Sequence, residues 1–307
     1  MADFFPATKD EIVEWDGENA DFLLKLNEHG IFPAPEENPE DFRLRLLKEY
    51  DYTGKISNSM QSSADKIILW ENSDKTDKIE VRKDALIARE LFEPSMDITR
   101  KLYGFAIDYV PGFYLFEKVG LLWGGCSIYD DETEMKVFLL RPAFKNKKRF
   151  LIYGRTELIA HELCHCARQV LKDHAIEEYF AYQTSGSYLR KYIGNCFIKE
   201  SDALLFLLPA LLLPTAQAIK SFFWNPLPIL PFWLFLLGVL GFFLIRNQKC
   251  RNTVSKARKN LQKISDFPDA ILFRSTLNEL KKINSSFDEY YNSLSPLRQK
   301  IIKKYLR

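Results

Sequence analysis

The sequence predicts an α+β fold joined to a membrane hairpin, and three observations predict it. Apolar stripes at helical spacing recur in the first hundred residues and again after residue 246. Short runs rich in β-branched and aromatic residues cluster between residues 113 and 153. Two long apolar stretches, Ala203 to Ile219 and Ser221 to Ile245, hold no acid or base and are separated by Lys220 alone. A length of 307 residues and an apolar fraction of 47% suit a chain that buries a core, which excludes global disorder.

Residues 1–110 are expected to be mainly helical. Asp41 to Tyr50 places Phe42, Leu44, Leu46 and Leu47 on a stripe, and Ile79 to Phe92 does the same with Ile79, Leu86, Ile87 and Leu91. The polar stretch Asp51 to Ala64 reads as a loop. Residues 111–200 form the expected catalytic region. Its strand candidates are Phe113–Lys118, Leu121–Tyr129, Met135–Arg141 and Arg149–Tyr153, which together predict a small, mainly antiparallel sheet. Met135–Arg141 is the expected edge for pairing with an extended chain. Gly154-Arg155-Thr156 then opens a helix, with Thr156 as N-cap, Glu157 at its positive end, and Arg168 and Lys172 near its close. Lys172-Asp173-His174 reads as a short turn, with Asp173 capping a second helix from about Ala175.

The membrane hairpin is expected over 203–245, with segments 203–219 and 224–245 and a turn at Trp224-Asn225-Pro226. At about 1.5 Å per residue, each segment crosses most or all of a hydrocarbon core roughly 30 Å thick. The first is short and carries Pro209 and Pro214, so a shallow or re-entrant hairpin is the alternative to full spanning. Arg190, Lys191 and Lys199 precede the hairpin, and Arg246, Lys249, Arg251, Lys256, Arg258, Lys259 and Lys263 follow it. The positive-inside rule therefore predicts an integral membrane protein with catalytic region and tail in the cytoplasm.

Charge is unevenly spread. The net charge of +2 gives no chain-wide field for nucleic acid. From Arg246 to Arg307, however, fifteen Lys/Arg face five Asp/Glu, so the tail carries +10 and the remainder −8. Residues 246–307 are expected to be a basic helical tail, with a helix over Ala270 to Ile283 that either lies on anionic lipid or folds back on the catalytic region. The five cysteines, Cys126, Cys164, Cys166, Cys196 and Cys250, follow no framework spacing and fit a reducing compartment.

The chemistry lies in His161-Glu162-Leu163-Cys164-His165, an H-E-x-x-H sequence. Positions i and i+4 of a helix share a face, so both imidazoles reach one metal ion, Zn2+ by the chemistry of the donors. Glu162 is offset around the helix and suits a general base rather than a ligand. Two histidines need a third protein ligand. Leu171 stands where the metzincin pattern has its third histidine, which excludes that class. Asp173, His174, Glu177 and Glu178 remain, and two antiparallel helices joined near 172–174 would bring Glu178 back toward His165. Cys164 and Cys166 read as packing residues on the far side of the helix.

His161–His165 followed by Glu178-Tyr179-Phe180-Ala181 resembles the gluzincin metallopeptidases, whose third ligand is a glutamate on a later helix. The resemblance covers about Thr156 to Ser187 and implies a zincin-like catalytic domain: a small sheet, an active-site helix and a glutamate helix. It makes Glu178 the third ligand and Glu177 its polar neighbour. It departs from several gluzincins in its short gap and in having Tyr182 where an aspartate often follows the glutamate, so the group supporting a histidine ligand is unassigned. The Ste24/HtpX group is a looser analogy. Arg155, Glu157, Arg168 and Lys172 flank the motif too closely for a site-2 type intramembrane protease.

The implied activity is hydrolysis of a peptide or protein substrate by Glu162-assisted attack of zinc-bound water. Tyr188, Tyr192 and His174 are the candidate donors to the reacting carbonyl. The competing class is a membrane-anchored, non-catalytic zinc-binding scaffold or regulatory protein, against which the intact Glu162 argues.

Overall fold

The computed structural model describes residues 5–71, 78–116, 119–120 and 123–307. The fold is α+β, with small sheets and two helices long and apolar enough to cross a membrane. Helices α1 (Lys9–Glu14), α2 (Ala20–Glu28) and α3 (Pro39–Gln61) open the chain, each started by a capping side chain, Thr8, Asn19 and Asn38. Strands β1 (Lys66–Glu71) and β2 (Lys78–Arg82) follow as an antiparallel pair, and α4 (Glu93–Tyr103) ends at Gly104. A three-stranded sheet has the order β3 (Gly112–Tyr114), β5 (Met135–Leu140), β4 (Gly125–Asp130), with β3 parallel and β4 antiparallel to β5. The hairpin β6 (Arg149–Phe150) and β7 (Tyr153–Gly154) leads into α5 (Arg155–Arg168), α6 (His174–Tyr182) and α7 (Tyr188–Ile193). The apolar pair α8 (Glu200–Phe222) and α9 (Leu230–Leu261) comes next, then α10 (Pro268–Phe273), α11 (Leu277–Ser285), α12 (Phe287–Asn292) and α13 (Pro296–Lys303).

Several local expectations are corrected. Asp51 to Ala64 is not a loop. Helix α3 continues to Gln61 because Tyr52 and Ile56, four residues apart, bury themselves in the cluster beneath the sheets. Ile79 to Phe92 is not one helix. Ile79 and Val81 pair with β1, opposite Trp70 and Ile67, and only short 3-10 turns follow at Lys83–Ala85 and Arg89–Leu91. Strand pairing outweighed a sparse helical stripe. Strand β5 is the middle of its sheet and buried at every position, so it is not an edge; β3 and β4 are the outer strands. Ala270 to Ile283 is split between α10 and α11, because Thr276 and Glu279 form a capping box that starts a new helix. The strand candidates ending at Lys118 and beginning at Leu121 reach partly beyond the described residues.

One hydrophobic cluster runs from Phe5 to Tyr305 and joins the N-terminal helices, α5, α6 and the C-terminal helices. Of the two placements expected for the tail, the fold-back is the one adopted. Phe273 stacks on Tyr103 at 4.2 Å, Arg274 Nε donates to Asn27 Oδ1 at 2.5 Å, and Asn27 Nδ2 donates to the Tyr305 hydroxyl at 2.8 Å. The charge counted as a basic tail is therefore partly interior: Arg274 and Arg298 are buried, each against carbonyl or carboxylate oxygens.

Helix α8 runs without a break through Pro209 and Pro214 for 23 residues, about 34 Å. It is longer than the expected 203–219 segment. Helix α9 begins at Leu230 and continues to Leu261, well past the apolar run. Its second half buries Asn247, Cys250, Val254, Ala257 and Leu261, spaced three or four apart, against the body of the protein. The apolar halves behave differently: only 22% and 17% of the two apolar windows are buried. Arg246 Nη2 and Asp202 Oδ2, 2.7 Å apart, tie the two helices together where the apolar runs end.

Candidate metal centre

Helix α5 starts one residue after Gly154, which is its N-cap; Thr156 lies inside the first turn and does not cap. The start is held instead by the Arg155 amide on the Lys148 carbonyl at 2.9 Å and by the Arg155 guanidinium on the Phe144 carbonyl at 2.9 Å. One side of the helix enters the core through Leu158, Ile159, Leu163 and Ala167. That burial turns His161 and His165 together toward α6. The chain reverses through Lys172, which adopts φ +48, and α6 returns with Glu177 and Glu178 facing the histidines.

Three side chains converge. The Nε2 atoms of His161 and His165 are 3.1 Å apart. Glu178 spans both, with Oε1 3.5 Å from His165 Nε2 and Oε2 3.7 Å from His161 Nε2. The ligand atoms of these three residues lie within 4.8 Å of one another. Two donors held at 2.0–2.2 Å by a tetrahedral zinc ion are roughly 3.3 Å apart, so the spacing fits such an ion.

Glu177 does not join this set. Its Oε1 lies 2.9 Å from His165 Nδ1, on the opposite side of the ring from the converging atoms. That contact makes Nδ1 the protonated nitrogen and leaves Nε2 a lone pair for a metal. The support for a histidine that the sequence left unassigned is thus supplied by Glu177, the residue beside Glu178.

Burial and mutual charge set the protonation of the group. Burial opposes charge on His165, but the Glu177 hydrogen bond and the carboxylates of Glu178 and Glu162 outweigh it and push this imidazole up to about 9. His161 goes the other way, held well below the ordinary histidine range by burial and by the neighbouring charges of His165 and Arg190. Glu162 is buried, and burial pushes its carboxyl up to about 7, with Glu178 adding to the shift and His165 and the Ser127 amide opposing it. Burial likewise raises Glu178, whereas for Glu177 the His165 hydrogen bond overcomes burial and lowers it.

No protein-family model, curated protein or solved structure matches this chain.

Residues that sequence spacing did not reach complete the centre. Gly125 of β4 lies against Glu162: a Cβ there would stand 2.8 Å from the Leu139 carbonyl oxygen and 3.2 Å from Glu162 Oε1. The outer strand therefore passes directly over the carboxylate only because this position is glycine. Tyr182 sets its ring edge-on to His161, centroids 4.7 Å apart. Its hydroxyl is pushed up by burial and then by the Glu178 charge, which places it among the site's charged groups. A Cβ on Gly194 would overlap the Tyr182 ring, so that ring is tightly seated. A signal for Tyr182 existed, since it is one turn beyond Glu178 on the same helix. None existed for Gly125, which is 37 residues before Glu162 and reaches it through sheet packing.

The remaining candidates lie elsewhere. His174 has 78% of its side chain exposed and touches only the far oxygen of Glu177, at 3.4 Å. Asp173 does not cap α6; its carboxylate accepts the Leu277 amide at the start of α11 and so joins the tail to the turn. Tyr188 is exposed, and the Tyr192 hydroxyl donates to Gln248 Oε1 of α9 at 3.1 Å, so neither takes part in the centre. Cys164 and Cys166 are buried in the core with thiols raised by burial, as expected of packing residues.

Proposed function

We propose that this chain is a membrane-anchored zinc metallopeptidase of gluzincin type, with a zincin-like centre formed by His161, His165 and Glu178. The observation that carries the reading is the convergence of two imidazole Nε2 atoms and a carboxylate at 3.1, 3.5 and 3.7 Å. A carboxylate at the general-base position stands beside them, buried and titrating near neutrality.

Zinc bound at this centre would polarise a peptide carbonyl and acidify a water molecule. Glu162 would take the proton from the attacking water and return it to the departing amine, and burial, which raises its carboxyl, favours its acceptance of that proton. Glu177 holds His165 in the tautomer and orientation that ligation requires. Strand β4, the outer strand beside Glu162, is the edge along which an extended peptide would pair. Tyr182 is the tyrosine suited to donate to the carbonyl oxygen.

Helices α8 and α9 span the bilayer in this reading. Their exposed leucine and phenylalanine side chains need an apolar surrounding, and the cationic flanks support a cytoplasmic side for the centre.

Glu162→Gln keeps the ligands and removes the base. Detergent-solubilised wild-type protein is expected to hold one zinc per chain by elemental analysis and to cleave members of a mixed peptide library. The variant is expected to hold the same zinc and cleave none. Turnover by the variant at the wild-type rate, or wild-type protein without stoichiometric metal, would refute the assignment.

A further inference from the structure

The β6–β7 hairpin takes no part in the metal centre, yet its tip is unusual. The two turn residues are Leu151 and Ile152, exposed at 56% and 60%. Leu151 adopts φ +49, a left-handed conformation that is strained for a non-glycine residue. Tight hairpin turns favour glycine, asparagine or aspartate at such a position. A strained leucine beside an isoleucine, both facing outward, is unfavourable in water and favourable in an apolar medium. Lys147, Lys148 and Arg149, all exposed, immediately precede the tip.

Helix α7 extends the same surface. Tyr188, Leu189 and Ile193 are exposed, and Phe197 beyond them packs on Phe206 of α8 and Phe243 of α9, 5.8 and 5.2 Å between centroids. Arg190, buried between the two features, donates to the Ile152 carbonyl at 3.3 Å and stacks over Tyr153 at 4.8 Å. The hairpin tip and α7 are thus one face, continuous with the apolar helices.

The depth of that face is set by hydrogen bonds to α9. Asn247 Nδ2 donates to the Tyr192 carbonyl at 2.6 Å, and Arg251 Nη1 donates to the Lys191 carbonyl at 2.9 Å. The charge-free run ends at Ile245. Residues 247–251 therefore lie within about 9 Å of its end along the helix, at 1.5 Å per residue. That is headgroup depth for a helix whose apolar run fills the hydrocarbon.

We propose that the Leu151–Ile152 tip and the Tyr188, Leu189 and Ile193 face of α7 seat in the headgroup–acyl boundary of the bilayer leaflet from which α8 and α9 emerge. The exposed Lys147, Lys148 and Arg149 match anionic headgroups. This seat rests on the bilayer reading of α8 and α9. A consequence rests also on the peptidase reading. Gly194, at the end of α7, lies under Tyr182, and Tyr182 lies against His161. The centre consequently sits close to the lipid surface, and its substrates are chains held there.

The test uses full-length protein in nanodiscs of phosphatidylcholine and phosphatidylserine with bromine-labelled acyl chains. An environment-sensitive fluorescent amino acid is placed at Ile152, Leu189 or, as the control, the exposed Val13 of α1. Emission at 152 and 189 is expected to be quenched at least twofold by the brominated lipid, and emission at 13 unchanged. Quenching at 152 and 189 no greater than at 13 overturns the seat, whether or not the protein is a peptidase. Leu151→Gly with Ile152→Ser relieves the turn and removes the aliphatic tip. It should slow cleavage of a bilayer-anchored peptide about tenfold while leaving the same peptide in solution unaffected. Equal effects on both overturn the substrate consequence. Hydrolysis of neither peptide by wild-type protein overturns the peptidase reading and leaves the quenching result to decide the seat.

Discussion

The two sides of α5 bury charge in opposite ways. On the side facing the tail, Arg168 donates to the carbonyls of Phe273 and Ser275 and lies 4.5 Å over the Phe180 ring. Nearby, Arg274 reaches the carbonyls of Tyr103 and Ala270 at 2.8 and 2.9 Å, and Arg298 forms a two-pronged pair with Glu279. Arg298 meets a carboxylate, while Arg168 and Arg274 meet neutral oxygens and are lowered by burial; the result is adhesion between distant parts of the chain. On the side facing α6, His161, His165, Glu162 and Glu178 crowd together with shifted protonation. Buried charge signals structure where partners are fixed, and a binding site where like donors converge on a common point.

The sharpest way to break this contrast is to remove a converging ligand. Glu178→Ala should abolish stoichiometric zinc and lower peptide hydrolysis by about a thousandfold or more, while the metal-free protein unfolds at nearly the wild-type temperature. A large loss of thermal stability would show that Glu178 is structural, and the contrast would fail.

The opposite outcome is expected across the helix. Arg298→Ala leaves Glu279 buried without its partner and should destabilise the fold by about 3–5 kcal/mol in denaturant titrations. Zinc affinity of the fraction that remains folded should be unchanged.

Glu177→Gln sharpens the division of labour between adjacent glutamates. Loss of a carboxylate that orients a histidine ligand should weaken zinc binding by about 10–100-fold without changing stoichiometry at saturation. The pH dependence should move with it. In the metal-free chain His165 holds its proton up to about 9, and zinc must displace that proton. Wild-type affinity is therefore expected to fall as pH drops below about 9, approaching tenfold per unit, and the bend should shift to lower pH in Glu177→Gln.

Stability of the metal-free protein gives a related, smaller signal. His165 and Glu162 both have folded pKa values raised above their ordinary ones. Each contributes stability that is full below its ordinary pKa and is lost as pH rises through its folded value. His161, lowered instead of raised, works the other way below about pH 6.5, so the unfolding temperature should decline between about pH 6.5 and 9, and zinc should reverse the decline. Tyr182→Phe should have the mildest effect on catalysis, about a tenfold fall in hydrolysis with metal affinity intact. An unchanged rate would remove Tyr182 from the chemistry.

Local spacing made part of this protein legible. His161, Glu162 and His165 are positioned by one helix, and Glu178 by the next across a tight turn, so distances set by helical rise and pitch sufficed to bring them together. The membrane candidates were legible for a similar reason, since a run of apolar residues needs no tertiary context to be counted. Helix ends were less so. The continuation of α9 past the apolar run and the misread span 51–61 are stabilised because their apolar residues find partners far away in the chain.

The sequence by itself determined the spacing of His161, Glu162 and His165 along a helix and the apolar length of the hairpin, because these depend on neighbours within one or two turns. Only the tertiary structure decided that Glu177 supports His165, that β4 rather than β5 is the outer strand over Glu162, and that Tyr182 joins the centre. It also decided that Arg274 and Arg298 of the basic tail are interior. Those outcomes depend on which surfaces the chain buries together, and burial across tens or hundreds of residues leaves no periodic trace in the order of the amino acids.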